Sequence, residues 1–103
     1  VPKLSFVVPH TLDQSDVVAR LRNESDVLRS SFSDQVTNLE EVWEDHTLRF
    51  RFTVFGMSVD GHLTVEPTQV STTANVPLVA MMFRSTIEEK VRGRLEELLK
   101  PQS

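Results

Sequence analysis

From Leu48 to Val54 the side chains alternate without a break. Leu48, Phe50, Phe52 and Val54 fall on one face of an extended chain, and Arg49, Arg51 and Thr53 on the other. A period of two with one apolar and one polar face specifies an antiparallel strand covered on one side only. That strand constrains its neighbours, because its hydrogen-bonding edges need partners with the same alternation. Val42-Trp43-Glu44 followed by Asp45-His46-Thr47 reads as a short strand and a tight polar turn leading into it, and Gly56 marks a turn or bulge on its far side. Val59, Gly61, Leu63 and Val65 alternate with Asp60, His62, Thr64 and Glu66 to make the next strand. After the turn Glu66-Pro67-Thr68-Gln69, Val70, Thr72, Ala74 and Val76 alternate with Ser71, Thr73 and Asn75 in a last strand that Pro77 stops. The expectation is a four-stranded antiparallel meander.

Two helices and one further strand flank it. Leu4, Phe6 and Val8 share one side of an extended Lys3–Val8 segment. Thr11 and Gln14 have the spacing of a capping box, which predicts a helix from Leu12 to about Ser33. Its dry face is read as Val17 or Val18, Leu21, Leu28 and Phe32, with Arg20, Arg22, Asn23 and Glu24 turned to water. At the other end Phe83, Ile87, Val91, Leu95 and Leu98 recur at steps of four and three, predicting a second helix over Arg84–Lys100 with a continuous dry stripe. The fold class expected is α+β: strand, helix, four-stranded antiparallel meander, helix, with both helices on one face of a curved sheet, a reduced helix-grip-like arrangement.

Composition narrows the function. With 103 residues, 39% of them apolar, the chain has room for one modest core, so residues 1–103 are read as one α+β domain. A net charge of −4 argues against a general phosphate-backbone binder, and no nucleic-acid partner is expected. The absence of cysteine excludes disulfides, thiolate metal ligands and thiol nucleophiles. The longest mainly apolar stretch, Val76–Phe83, is far short of the ~20 residues of a membrane-spanning helix, so no membrane span and a soluble chain are expected. Opening on Val1 rather than methionine, the sequence reads as a processed or trimmed chain.

Candidates for chemistry are few. His62 lies two residues from Asp60 on one strand face, and His46 sits on a neighbouring turn, so the three form a candidate polar site. A polar strand face that simply meets water explains them more economically, and zinc sites rarely make do with so few ligands. His10 is read as a hydrogen-bonding partner of the helix start or of a neighbouring strand. Arg49 and Arg51 with Phe55 could stack a base, yet Phe50 and Phe52 belong to the dry face. No Gly-rich phosphate loop, serine elbow or zinc-binding helix motif is present, so no catalytic residue, metal or cofactor is assigned and the protein is expected not to be an enzyme. The most unusual feature is Leu78-Val79-Ala80-Met81-Met82-Phe83, an apolar run that cannot all face inward in any regular conformation. Its alternatives are a buried crossover between sheet and helix and a partly exposed contact surface through Val79, Met81, Met82 and Phe83.

Taken in order, Val8-Pro9-His10-Thr11-Leu12, Trp43-Glu44-Asp45-His46-Thr47-Leu48-Arg49-Phe50, Val59-Asp60-Gly61-His62-Leu63-Thr64-Val65 and Ile87-Glu88-Glu89-Lys90-Val91-Arg92-Gly93-Arg94-Leu95 resemble the small bacterial polyhydroxyalkanoic acid system, or granule-region, proteins. The resemblance spans Pro9–Leu99. Arg29–Glu41 is longer than the family pattern, and Phe55-Gly56-Met57-Ser58 is more apolar. The resemblance implies a non-enzymatic accessory protein in the bacterial cytoplasm, at the surface of polyhydroxyalkanoate storage granules, with the hydrophobic polyester or a granule protein as partner. The order of strands and helices also looks like a reduced helix-grip arrangement, whose curved sheet wraps the C-terminal helix and can enclose an apolar pocket between them. Two alternatives stay beside the granule reading: a binder of an apolar or acyl ligand in such a pocket, and a homodimer built on the same exposed run.

Overall fold

The computed structural model describes residues 2–31, 36–54 and 56–101. In chain order these form β1 (Lys3–Pro9), α1 (Gln14–Ser31), β2 (Val36–Glu44), β3 (Thr47–Val54), β4 (Met57–Val65), β5 (Gln69–Asn75), a 3-10 helix (Leu78–Phe83) and α2 (Arg84–Leu98). Phe32, Ser33 and Phe55 lie outside the described residues, and so do the side chains of Leu28 and Val54.

All five strands form one antiparallel sheet in the order β1-β5-β4-β3-β2. The expected meander is therefore present, and β1 closes it by pairing with β5. The pairing registers Phe6↔Thr72, Thr72↔Leu63, Leu63↔Leu48 and Leu48↔Trp43 line up one inward row across the whole sheet. A second row runs Leu4, Ala74, Gly61, Phe50, Glu41. Gly61 is small for a reason. A Cβ there would run into the Thr73 carbonyl and stand 2.7 Å from the Ala74 Cα and 3.0 Å from the Phe50 ring.

Both helices cover this inward face. Val17 and Leu21 of α1 join Leu95 of α2 and Leu99 just beyond it in one cluster with Phe6, Val8, Leu48, Leu63, Val65 and Val70. Val8, Val17, Val65 and Val70 are fully buried, each gaining about 1.5–3 kcal/mol from leaving water. The other face of the sheet carries Ser5, Ser71, Thr73, Thr64, Thr47, Arg49 and Arg51, as the alternation predicts.

Four expectations are corrected. The first helix begins at Gln14 rather than Leu12. The Asp13 carbonyl accepts the first helical bond, from the Val17 amide at 3.1 Å, and the Gln14 side chain donates to the Val65 carbonyl at 2.9 Å, so Thr11 is not the cap. Strand β2 starts at Val36, six residues ahead of the expected Val42, with a bulge between Thr37 and Glu40. Glu24 is buried and Arg20 partly so, although the helical period turns both to water. Each has a partner that a helical wheel cannot reveal. Glu24 pairs with Arg94, and Arg20 donates to the carbonyls of Leu98 at 2.9 Å and Lys100 at 2.7 Å, placing a cation at the negative end of α2. Finally, the stripe of the second helix is not continuously dry. Leu95 is buried, but Phe83 and Val91 are exposed, because only the C-terminal half of α2 reaches the core.

Candidate functional site

Pro77 ends the sheet in an extended conformation, and the Ala80 amide then bonds the Pro77 carbonyl at 3.0 Å to open the 3-10 helix. Such a helix has three residues per turn and no wide face to hide six apolar side chains. Not one of them is buried. Leu78 is 76% exposed, Val79 51%, Met82 79% and Phe83 60%, while Ala80 and Met81 are half-buried. Phe83 continues into Ile87 and Val91 at the four-residue spacing of one α2 face, Ile87 half-buried and Val91 exposed. Among the expected contact residues, Val79, Met82 and Phe83 thus stand in solvent and Met81 is partly covered. Leu78 belongs with them, and the apolar run already contained it.

The platform beneath this surface is firmly tied. Arg92 donates to the Val7 carbonyl at 2.9 Å and lies 5.5 Å from the centre of the Phe6 ring. Arg94 grips Glu24 through one guanidinium edge, Nε donating to one carboxylate oxygen and Nη2 to the other at 2.8 Å. The hydrogen bond from Arg94 holds the Glu24 carboxyl below its ordinary value against the opposing pull of burial, and the same pairing raises Arg94. The apolar tip therefore projects from a helix whose far half is anchored to both α1 and β1.

The histidine and aspartate candidates fall on one strand face and one turn. Asp60 and His62 are exposed on the outer face of β4, where Asp60 accepts from the Asn75 amide at 3.1 Å and His62 faces Arg49 across the ladder. His46 is exposed in the β2–β3 turn, and its carbonyl, not its ring, is what bonds Val65 at 2.8 Å. Among the described residues no group of three or more His, Asp or Glu is placed to hold a metal. His10 bonds just ahead of α1 and to the β4–β5 turn rather than to a helix or strand residue itself. Its Nδ1 accepts from the Leu12 amide at 3.1 Å, so Nε2 carries the proton and donates to the Glu66 carbonyl at 2.9 Å.

A cleft of about 380 Å³ lies between α1 and β2, lined by Arg22, Ser25, Asp26, Glu41 and Trp43. This is a different place from the pocket expected between the C-terminal helix and the sheet. Trp43 is half-buried and packs against the core cluster, with the Arg22 guanidinium 5.3 Å from its ring centre. The sequence reading missed the cleft because its walls come from segments far apart in the chain.

The model of a family described as "Putative polyhydroxyalkanoic acid system protein" matches residues 4–99. No curated protein matches the chain. Among solved structures, the crystal structure of TTHA0849 from Thermus thermophilus is 14% identical and superposes with a TM-score of 0.35, covering 95% of this chain and 92% of that one.

Proposed function

Since the chain belongs to the family of polyhydroxyalkanoic acid system proteins, we propose that it is a non-enzymatic accessory protein of polyester storage, which docks on the cytoplasmic granule surface through Leu78, Val79, Met82 and Phe83. The observation that carries the reading is the exposure of these four large apolar side chains within one short 3-10 helix. A contiguous patch of large apolar groups is costly to keep in water, and such patches mark contact sites. Covering three of them gains on the order of 5 kcal/mol before the cost of immobilisation.

The surroundings favour a neutral surface over a charged one. The 3-10 helix carries no charged residue, and Arg84 and Lys90 on α2 are balanced by Glu88 and Glu89. An anionic phospholipid layer is usually met by an excess of Lys and Arg. An uncharged polyester asks for none. Methionine suits an amorphous surface, because its unbranched side chain adapts to irregular contours.

Sedimentation with amorphous polyhydroxybutyrate particles tests the reading. The wild type is expected to leave the supernatant, and Met82→Asp combined with Phe83→Ser to bind at least tenfold more weakly with an unchanged circular dichroism spectrum. Wild-type protein that stays in solution defeats the proposal, and so does a variant that sediments equally well. Sedimentation equilibrium of the 11.7 kDa chain covers the other occupant: a wild-type dimer that the same substitutions dissociate would assign the patch to a second copy.

A further inference from the structure

Strand β2 is the last in the sheet, and no described strand pairs with its outer side. Its regular portion is Glu40–Glu44, bounded by the bulge at Thr37/Glu40, where Asn38 has a φ of 55°, and by the turn at Asp45, with a φ of 54°. A free edge of this kind offers backbone donors and acceptors to any extended chain that fits. Here the edge is short and carries Glu40, Glu41 and Glu44. A second copy lying antiparallel would set these acids against one another, so the edge rejects its own kind and accepts the opposite charge. The wider sequence agrees: residues 1–46 hold nine acidic against four basic side chains.

Beside the edge, on the inner face, opens the cleft floored by Trp43 and walled by Arg22, Asp26 and Glu41. The indole already receives a guanidinium, that of the exposed Arg22, 5.3 Å from its centre. That contact shows that the ring face accepts a cation, and an incoming arginine would have to displace the exposed Arg22 to take its place. In an added strand, alternate side chains would point to this face, one of them over Trp43.

We infer that the Glu40–Glu44 edge and the Trp43 cleft together form a docking site for an extended, arginine-bearing segment of a partner protein. The backbone would pair with β2, an arginine would lie on Trp43 beside Asp26 and Glu41, and basic residues of the other face would meet Glu40 and Glu44. The ion pair of Glu44 with Arg49, at 3.7 Å and with both side chains 65% exposed, is loose enough to be exchanged. This site is separate from the apolar surface of the 3-10 helix and does not depend on granule binding.

Trp43 is the only tryptophan of the chain, so its fluorescence reports occupancy directly. The probe is a ten-residue peptide alternating arginine and threonine, titrated into the full chain. A saturable change in Trp43 emission is expected. The affinity should fall at least tenfold on raising salt from about 50 to about 500 mM, and at least tenfold in each of Asp26→Lys and Glu44→Lys, with unaltered circular dichroism. The inference is overturned by no saturable change, by an equal response to a glutamate–threonine peptide, or by full affinity retained in both variants. Equal affinity for arginine amide alone would also overturn it, because the strand edge would then contribute nothing.

Discussion

Glu24 on α1 accepts two hydrogen bonds from the guanidinium of Arg94 on α2, 70 residues further along the chain. The pair is lopsided. The Glu24 side chain is 8% exposed and that of Arg94 55%. Removing one partner from a buried pair is costly mainly when the charge left behind cannot reach water. Arg94→Ala strands the buried carboxylate, whereas Glu24→Gln leaves a guanidinium that water already wets. We expect Arg94→Ala to lower the urea midpoint about twice as far as Glu24→Gln, whose cost is about 1 kcal/mol. Equal losses would mean that Glu24 hydrates readily when Arg94 is gone.

The same pair sets a pH dependence. Glu24 sits below its ordinary value of 4.5, chiefly through the Arg94 hydrogen bond. Glu66 is likewise lowered, first by the Ser71 hydroxyl and then by the Gln69 amide. A carboxylate depressed by folding contributes stability that is complete above its unfolded value and lost as the pH falls through the folded one. The urea midpoint should therefore drop as pH is taken below 4.5, and the drop should be shallower in Glu24→Gln. A wild-type midpoint unchanged between mildly acidic solution and about pH 3, below the ordinary carboxylate range, would contradict both assignments.

How much of this could be read from the chain alone follows from which interactions are local. The alternation of Leu48, Phe50 and Phe52 against Arg49 and Arg51 marks β3 because sidedness repeats every two residues, and Leu63 and Val65 mark β4 in the same way. That some of the Leu78–Phe83 segment meets water was legible for a similar reason, since no backbone conformation could turn all six side chains inward, but the sequence left a buried crossover open. Glu24 and Arg20 were not legible. A helical period says that a residue lies off the apolar stripe, but not that a second helix arrives there with Arg94 or with free carbonyls. The stripe on α2 failed in the opposite sense, since its spacing from Phe83 to Leu98 is regular but the sheet supports only its C-terminal half. The cleft depends on the placement of α1 against β2, which no local pattern encodes.

Gly61 should not tolerate alanine. The added methyl would collide with the Thr73 carbonyl and the Ala74 Cα, which are backbone of the paired strand and cannot rotate away. Relief requires the β4–β5 ladder to part, or the Phe50 ring above to shift. We expect Gly61→Ala to cost about 3 kcal/mol, the upper end of overpacking penalties, measured by urea unfolding. A loss below about 1 kcal/mol, the lower end of the same range, would show that the ladder yields easily at this point.

His10 joins the start of α1 to the β4–β5 turn: its ring links the Leu12 amide to the Glu66 carbonyl, and its own amide reaches the Thr68 carbonyl at 2.9 Å. His10→Phe preserves bulk at this buried position but withdraws the ring's donor and acceptor. With a partly buried amide and carbonyl left unsatisfied, the expected loss is about 1 kcal/mol, the lower end of the cost of an unpaired polar group. Hydrogen exchange of the Leu12 amide should accelerate in the variant. Unchanged stability and exchange would mean that water replaces both bonds.

Thr72 offers the opposite case. It is buried in the inward row between Phe6 and Leu63, and its hydroxyl has no hydrogen-bond partner among the described residues. Valine has the same branched shape and the same fitness for a strand, without the desolvated oxygen. Since an unsatisfied hydroxyl costs about 1–3 kcal/mol to bury, Thr72→Val should stabilise the fold by about 1 kcal/mol. Thermal unfolding then shifts upward by roughly 4–8 °C for a chain of this size. A lower melting temperature would reveal that the hydroxyl is satisfied after all, by a water held between the sheet and the helices. A cavity-bound water there should then appear in the wild type and be missing from the variant when both are crystallised.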